Sequence, residues 1–235
     1  MDLGKDIRKY CNLLHLQNDP MVIRLFETEN SLLMYKKDMD CYFIASEDEN
    51  EYDELMSHID LNFCKAFCIQ EEGLCKYIQG MDDAFKCCNY FFDGESIEFK
   101  QRDDIEIRLL DESYFDFVIE NYHGYDDTRY IMSRLESGNI WGAFKEEVCC
   151  GFIGFHDEGS MGILVVLDEF KLQGIGTYLE SFLISKCLED HRYAFCQIAP
   201  YNDASKHLQD KLGLKPHPNI ITWGNVEGEE DDLRN

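Results

Sequence analysis

The spacing of apolar residues predicts the order of helices and strands in the second half of the chain. Apolar and polar residues alternate, or form short apolar runs, where strands are expected, and apolar residues recur every three or four positions where helices are expected. The predicted strands span residues 105–110, 140–144, 148–155, 161–167, 193–198 and 219–223. The predicted helices span residues 113–122, 130–136, 174–190 and 202–212. The order is therefore β-α-α-β-β-β-α-β-α-β.

The same criteria predict a mixed α/β arrangement in the first half. Helices are expected from residue 7, over 18–26 with a cap at Asn18 or Asp19, over 49–59 and over 74–79. Strands are expected over 31–35, 41–45, 65–69 and 85–92. No residue pattern in this half carries a chemical signature, so a packing or lid domain is the main interpretation.

A polar stretch, residues 93–104, separates two regions rich in apolar residues. It predicts an N-terminal α/β domain over 1–100 and a second domain over 101–226. Residues 227–235 are predicted to be an acidic tail.

Charge and cysteine content exclude several classes of function. The 235 residues include 47 acidic and 22 basic side chains, so the formal net charge is −25, which repels nucleic acid. The longest apolar run, 163–167, is far too short to cross a membrane, and the N-terminus lacks a secretory signal. An odd number of cysteines, 11, without an export signal predicts reduced thiols and a cytoplasmic protein. No Cys-x-x-Cys pair occurs, so no metal site is expected.

The segment Lys171-Leu172-Gln173-Gly174-Ile175-Gly176 follows a predicted strand and opens a long predicted helix. Its two glycines allow a tight turn, and the unpaired N–H groups of the helix start favour a phosphate. A dinucleotide-binding loop would need a third glycine where Leu179 stands, and a P-loop would need a Gly-Lys-Ser/Thr ending. A turn into a helix without any ligand is the remaining alternative.

The residues around this segment favour one family. A strand and a basic residue precede the two glycines, and a later helix begins at Asn202-Asp203-Ala204-Ser205 and ends at Lys211-Leu212-Gly213-Leu214. Over residues 105–224 this order resembles the GNAT superfamily of acyl-CoA-dependent N-acyltransferases. Residues 159–164 resemble the branch related to glycine acyltransferases, and the first half loosely resembles a degenerate second copy of the fold.

The resemblance implies a fold and a site for acetyl-CoA or another acyl-CoA. The fold would be α/β (α+β), with a mixed, mostly antiparallel sheet, flanking helices and a parallel strand pair (161–167 and 193–198) that splays apart. The pantetheine arm would pair with the strand before the loop, and the pyrophosphate would bind the loop. The implied cofactor-binding residues are Val165, Val166, Leu167, Lys171, Leu172, Gln173, Gly174, Ile175, Gly176, Thr177, Asn202 and Ser205.

Direct attack of an amine on a thioester needs a base, an oxyanion donor and a proton for the thiolate. Glu158 is the predicted base, with His156 and Asp157 as alternatives, and a solvated turn is the competing interpretation. A backbone N–H near Val165 is the implied oxyanion donor. The family's tyrosine acid would fall at Gln209, which cannot give up a proton, so Tyr201 or water is predicted to supply it.

The loop between the first two helices of this half is predicted to bind the acceptor, which would be an amine of a small molecule or a peptide. Its candidate residues are Tyr122, Tyr125, Asp126 and Arg129, which would suit a cationic amine; a wet, aromatic-rich loop is the alternative. Because Gln209 replaces the acid, a non-catalytic acyl-CoA-binding sensor or interaction protein is the second hypothesis. The sequence leaves the oligomeric state open, with a homodimer as one option, and predicts neither a nucleic-acid nor a membrane partner.

Overall fold

The computed structural model describes residues 1–64, 66–78, 84–124 and 128–226. The helices are α1 (Ile7–Leu16), α2 (Tyr52–Ser57), α3 (Phe115–Asn121), α4 (Thr128–Glu136), α5 (Ile175–Glu189) and α6 (Asp203–Leu212). The strands are β1 (Val22–Glu27), β2 (Ser31–Lys36), β3 (Cys41–Ser46), β4 (Ala66–Ile69), β5 (Phe85–Phe91), β6 (Glu106–Leu109), β7 (Ile140–Lys145), β8 (Val148–Phe155), β9 (Met161–Val166), β10 (Phe195–Ile198), β11 (Lys215–Pro216) and β12 (Ile221–Asn225). Short 3-10 helices span Leu3–Asp6, Glu49–Glu51, Glu72–Tyr77, Glu112–Tyr114 and Asp168–Phe170.

The chain divides into two compact units whose limits differ from the expected domain boundary. The first unit contains residues 1–89 and 198–201 and the described residues from 217 on, and the second contains 90–197 and 202–216. Residues 217–226, expected in the second domain, lie in the first unit because β12 pairs with both β4 and β5. Residues 90–100, expected in the first domain, lie in the second unit.

The first unit contains a sheet with the strand order β1-β2-β3-β4-β12-β5. Its neighbours are antiparallel except β3 and β4, which are parallel and in register over four residue pairs, from Cys41↔Ala66 to Ile44↔Ile69. Leu33, Ile44 and Phe67 are buried in its core together with Leu55 of α2. The predicted strands over 31–35 and 41–45 are confirmed as β2 and β3.

The helix predicted over 18–26 is wrong, because this segment contains β1. Residues Val22–Glu27 form an antiparallel ladder with β2. Asp19, expected to cap a helix, instead accepts a hydrogen bond from the Met21 N–H at 2.8 Å and binds the Lys36 ammonium at 2.9 Å. Lys36 is only 2% exposed, so its charge needs this partner.

The sheet of the second unit has the order β10-β9-β8-β7-β6, and β11 pairs with the end of β5. Neighbours in that order are antiparallel except β9 and β10. Helices α3 and α4 supply Val118, Ile131 and Leu135 to a core that includes Phe152 of β8 and Ile163 of β9. The predicted class, mixed α/β with a mostly antiparallel sheet and flanking helices, is confirmed.

All eleven cysteines are thiols, and nine of them are buried. Burial raises the pKa of Cys64, Cys149 and Cys187 to about 11, so these thiols stay protonated at neutral pH. Among the residues that the structure describes, no helix has the length and apolar character that a bilayer crossing demands.

Candidate functional site

The parallel pair in the second unit separates almost as soon as it forms. Strands β9 and β10 share one register position, Cys196↔Met161. The remaining residues of β9 pair with β8 on one side. On the other side, which faces β10, they have no strand partner among the described residues. This leaves an open cleft edge on β9 that an extended ligand could pair with, as the sequence predicts.

A bulge bends β9 at the start of this cleft. The β8–β9 register shifts between Phe152 and Gly154, so that two residues of β9 stand opposite one residue of β8. Ile163, within the bulge, has a φ of 52°, which is an outlier for a β-branched residue. Its side chain is 2% exposed, so burial in the core holds this conformation. Bulges bend the strand that carries them, which directs β9 away from its straight course.

Backbone groups on the open edge of β9 can be assigned from the ladder. The Leu167 N–H donates to Cys150 O at 2.9 Å, so it faces β8 and is not available to an arm on the other side. Hydrogen-bonded and non-hydrogen-bonded pairs alternate in an antiparallel ladder, so Val165 also faces β8 and Val166, opposite Gly151, does not. Of the three residues expected to pair with pantetheine, Val166 therefore presents its N–H and C=O to the cleft.

Two residues with positive φ form the turn between β9 and α5. Leu172 has a φ of 60° and a fully exposed side chain, and Gly174 has a φ of 78°. Gly174 is the residue that precedes the first turn of α5, and within the described residues no side chain caps this helix. Tyr178 is the first residue whose N–H bonds back to Gly174 O, at 3.0 Å. The N–H groups of Ile175, Gly176 and Thr177 precede the first intrahelical hydrogen bond of α5, so they are donors of the kind that an anion could accept from.

The lysine in this loop is paired with a neighbouring carboxylate. Lys171 binds Asp168, and their side chains are 59% and 91% exposed. The hydrogen bond and charge of Lys171 hold the pKa of Asp168 below its usual value. Gln173 donates to Glu169 O at 3.0 Å, which ties the loop to the preceding 3-10 turn. The loop is therefore ordered by its own polar contacts.

Sequence reasoning missed two basic residues beside the loop. Arg102 Nη1 donates to Gln173 O at 2.9 Å, and Lys211 Nζ of α6 donates to Thr177 Oγ1 at 3.3 Å. Arg102 lies in the polar stretch interpreted as a domain boundary, where Ile97 and Phe99 are the apolar side chains. Phe99 stacks on Tyr178 of α5, with ring centroids 5.2 Å apart.

The start of α6 is formed by the predicted Asn202 and Ser205. Asn202 Oδ1 accepts a hydrogen bond from the Ser205 N–H at 3.1 Å, which makes Asn202 the helix cap. Gly213, with a φ of 84°, ends the helix as expected. The hydrogen bond between Asn202 and Ser205 thus caps the start of α6, a structural role that requires no ligand.

Gln209, where the resemblance implies a tyrosine, lies buried against a carboxyl group that the sequence reasoning missed. Its Nε2 donates to Glu180 Oε1 of α5 at 2.9 Å, and its Oε1 has no partner among the described residues. Glu180 is 3% exposed, and burial raises its pKa to about 7 despite the hydrogen bond from Gln209. The pair lies one helical turn beyond Thr177, because α5 and α6 run antiparallel through the contacts 177–211 and 180–209.

Glu158, the predicted base, is not a solvated turn residue. It is 5% exposed, and one of its carboxylate oxygens accepts a hydrogen bond from Ser160 Oγ. The neighbouring Asp157 forms an ion pair with Arg134 of α4. This turn precedes β9 at the end where β9 and β10 are still paired.

His156 lies closer to the bulge than its sequence position suggests. An added Cβ at Gly162 would come within 2.3 Å of His156 Nε2, so the imidazole packs directly on the Gly162 backbone. His156 Nδ1 is 2.5 Å from the Tyr130 hydroxyl, and the two rings are stacked. Burial, followed by the charges of Glu158 and Asp157, raises the pKa of Tyr130, which keeps its hydroxyl protonated. Tyr130, His156 and Glu158 thus form one cluster beside β9, here called the turn cluster.

The predicted acceptor residues are only partly brought together. Tyr122 ends α3 and packs on the core of the second unit, and Arg129 lies exposed in the first turn of α4. Tyr125 and Asp126 lie outside the described residues. Tyr201, the predicted proton donor, follows β10 and is 81% exposed.

Over residues 1–64, 66–78, 84–124 and 128–226, the side chains of His, Cys, Asp and Glu form no group of three that could hold a metal ion.

Comparisons with known proteins agree with this geometry. Residues 105–214 match the family model of the acetyltransferase (GNAT) family. A comparison with curated protein sequences finds no match.

Solved structures share the fold at low sequence identity. A Drosophila protein superposes with a TM-score of 0.67 at 15% identity, covering 84% of this chain and 74% of the other. A GCN5-related N-acetyltransferase from Kribbella flavida superposes with a TM-score of 0.61 at 12% identity, covering 96% of this chain and 97% of the other. A tandem GNAT protein from the clavulanic acid biosynthesis pathway superposes with a TM-score of 0.50 at 10% identity, covering 94% of this chain and 89% of the other. Residues 105–214 are therefore similar to the acetyltransferase (GNAT) family by its family model, and the solved structures share the fold of the chain.

Proposed function

We propose that this protein is an acyl-CoA-dependent N-acyltransferase. It moves an acyl group, with acetyl as the default, from acyl-CoA to an amine of a small molecule or a peptide. The observation that carries the proposal is the separation of β9 from β10 after one register position, directly before the glycine loop and α5. The cleft offers a backbone edge for a linear amide ligand, and the loop offers a site for its phosphates.

Acyl-CoA fits these two features together. Its pyrophosphate would accept hydrogen bonds from the N–H groups of Ile175, Gly176 and Thr177, at the positive end of the α5 dipole. Lys171, Leu172 and Gln173 would complete the loop around it. Its pantetheine amides would pair with the Val166 backbone on the open edge of β9.

The turn cluster supplies a base for direct attack of the amine on the thioester. Glu158 would take one proton from the amine while the nitrogen–carbon bond forms and the carbon–sulfur bond breaks, its electron pair going to sulfur. The Val166 N–H faces the cleft and would donate to the oxyanion, which leaves the Val166 C=O to accept from a pantetheine amide. His156, which packs on Gly162, is the alternative base and would be oriented by Tyr130.

The proton for the CoA thiolate has a less direct source. Gln209 is an amide and cannot supply it. Water, or the exposed hydroxyl of Tyr201, would protonate the thiolate, which is itself a fair leaving group. We expect slower turnover than in a member of the family with a tyrosine at this position.

A cationic amine remains the proposed acceptor class. Tyr122 follows α3 and Arg129 lies at the start of α4, and the predicted Tyr125 and Asp126 fall between them in the sequence. The carboxylates of Asp157 and Glu158 in the adjacent turn add negative charge, and the net charge of −25 would attract a cation from a distance.

The N-terminal half is proposed to be a degenerate copy of the same fold, in a branch related to glycine acyltransferases. It too contains a parallel pair, β3–β4, but this pair is joined over four residue pairs, against one for β9–β10. The acidic segment Glu47–Asn50 follows β3 in place of two glycines. A cytoplasmic location agrees with eleven reduced thiols.

The second candidate is a non-catalytic acyl-CoA-binding sensor or interaction protein. The replacement of the expected acid by Gln209 is the observation that favours it.

One experiment separates the two candidates. Acetyl-CoA would be incubated with the protein and a panel of small amines, amino acids, polyamines and peptides, and free CoA release would be measured beside a CoA-binding titration. Binding with amine-dependent release supports the enzyme. Binding without release on every amine supports the sensor, and the absence of binding contradicts both.

A further inference from the structure

The segment before β6 lies along the first turns of α5. Phe99 stacks on Tyr178 with an interplanar angle of 21°, and the Arg102 N–H donates to the Tyr178 hydroxyl at 3.3 Å. These two contacts fix the backbone of this segment beside the helix, although its sequence is polar. Arg102 therefore has a defined position outside the matched residues 105–214.

The side chain of Arg102 reaches the glycine loop. Nη1 donates to Gln173 O at 2.9 Å and lies 3.7 Å from the point that a Cβ of Gly174 would occupy. Because Gly174 immediately precedes the first turn of α5, the guanidinium borders the N–H groups that a phosphate would bind.

The guanidinium keeps donors for a ligand. Arginine has five N–H groups, and Nε and Nη2 of Arg102 each use one on Asp104, at 2.9 and 2.7 Å. With the bond from Nη1 to Gln173, this leaves one N–H on each terminal nitrogen. The Arg102 side chain is 29% exposed, against 59% for Lys171, so its charge is less screened by solvent.

We propose that Arg102 binds the pyrophosphate of CoA and is the main cationic residue of the loop. The inference rests on the proposed function, because it requires that CoA occupies the loop. Its two remaining N–H groups would donate to pyrophosphate oxygens, while the Asp104 carboxylate holds the guanidinium in place and opposes the anion. Lys171, tied to Asp168 at the surface, contributes less.

Arg108 provides a matched control in the same unit. It is also an arginine held by carboxylates, with Glu147 at 2.7 Å and Glu106 at 2.6 Å, and its side chain is 33% exposed. It lies on β6, where its guanidinium also packs over the Phe144 ring, and among the described residues it makes no hydrogen bond or ion pair with the loop.

The test is isothermal titration of the full chain, as wild type, Arg102→Gln and Arg108→Gln, with CoA and with dephospho-CoA, which lacks the 3′-phosphate. Arg102→Gln should weaken the binding of both ligands by the same factor, at least about tenfold, because even one charge-assisted hydrogen bond has that effect and two would be lost. Arg108→Gln should leave both affinities unchanged.

Three outcomes would overturn the assignment. Equal affinities of Arg102→Gln and wild type would remove Arg102 from the site and leave the proposed function standing. A loss confined to CoA would assign Arg102 to the 3′-phosphate instead. Failure of the wild type to bind either ligand would overturn the proposed function and this inference together.

A second variant covers the case in which Arg102→Gln does not fold. Asp104→Asn keeps the shape of the partner and removes the negative charge beside the phosphate site. It should raise the affinity for CoA a few-fold, whereas an unchanged or lower affinity would contradict the proposal.

Discussion

Glu180 is a carboxyl group inside the second unit whose one polar partner, within the part of the chain that the structure describes, is the amide of Gln209. Helix α5 is buried on more than one face, and Glu180 and Ser181 are buried with its apolar residues. A carboxylate at such a position loses its hydration, which favours the neutral acid.

The pH dependence of stability should report this burial. The pKa of Glu180 rises from 4.5 to about 7 on folding, so the folded protein binds this proton more tightly than the unfolded chain. The stabilisation of the folded state by this proton is fully present below pH 4.5 and is lost as the pH rises through about 7. At about 1.4 kcal/mol per pKa unit, the rise from 4.5 to about 7 makes the loss about 3–4 kcal/mol. Glu180→Gln should therefore be more stable than wild type at pH 8 and similar at pH 5 in urea denaturation.

Glu136→Gln, at an exposed position on α4, is the control and should show no such difference between the two pH values. A Glu180→Gln variant whose free energy of unfolding follows wild type at both pH values would mean that the carboxyl is hydrated.

Glu158 should determine turnover and not CoA affinity. Glu158→Gln keeps the size of the side chain and its bond with Ser160 but removes the base. The value of kcat should fall by about 10²–10⁴, with partial recovery at high pH, where the amine is already neutral. Steady-state kinetics across pH, beside a CoA titration, would measure this. A pH–rate profile that overlays wild type would transfer the role to His156.

The residue scale also shows what the sequence could predict of the site. The glycine loop and the cap at Asn202 are local patterns, so they were visible in the sequence. Arg102 contacts a residue 71 positions away, and Glu180 meets Gln209 across 29 positions. Only tertiary structure brings such pairs together, and neither carries a local signature.

At the scale of elements, α6 depends on its first residue. The side chain of Asn202 satisfies the Ser205 N–H, which a helix start otherwise leaves unpaired. Asn202→Ala should lower the free energy of unfolding by about 1 kcal/mol, and Asn202→Ser, which keeps an acceptor, should recover most of it. Urea denaturation followed by circular dichroism tests this; equal losses in both variants would show that the cap is not the reason.

The predicted limits of helices and strands are correct where the periodicity of apolar residues agrees with their burial in the structure. Strand β8 has the predicted limits, and β7 and β9 differ from prediction by one residue, because short turns separate three runs of apolar residues. Strand β1 was misread because Met21, Val22, Leu25 and Phe26 also fit a helical spacing. Pairing with β2 decides the conformation there, and a window of sequence does not contain that partner.

At the scale of the whole molecule, each unit contains a parallel strand pair, and the two pairs differ in length. In the first unit β3 and β4 are joined over four residue pairs, and in the second β9 and β10 are joined at one. An edge that already pairs with its neighbour has no backbone groups left for a ligand.

The full chain should therefore bind one CoA. Isothermal titration should give a stoichiometry of one per chain, and Gly176→Val should abolish binding without unfolding the protein. A Cβ at Gly176 would make an ordinary contact of 3.6 Å with Val166, so the fold tolerates it, while the larger side chain occupies ligand space. A second binding event, or binding that survives in Gly176→Val, would show that the first unit keeps a site.

The buried thiols allow the rates of local unfolding to be measured on the native protein. Cys75 and Cys88 are partly exposed, whereas the other nine cysteines are buried. A pulse of alkylating reagent on the native protein should modify those two first and reach the rest only when a segment opens. Seven of the eleven cysteines lie in the first unit and four in the second. Mass spectrometry of the peptides after pulses of increasing length would thus give the rate of local opening of each unit separately, with no label added to the chain.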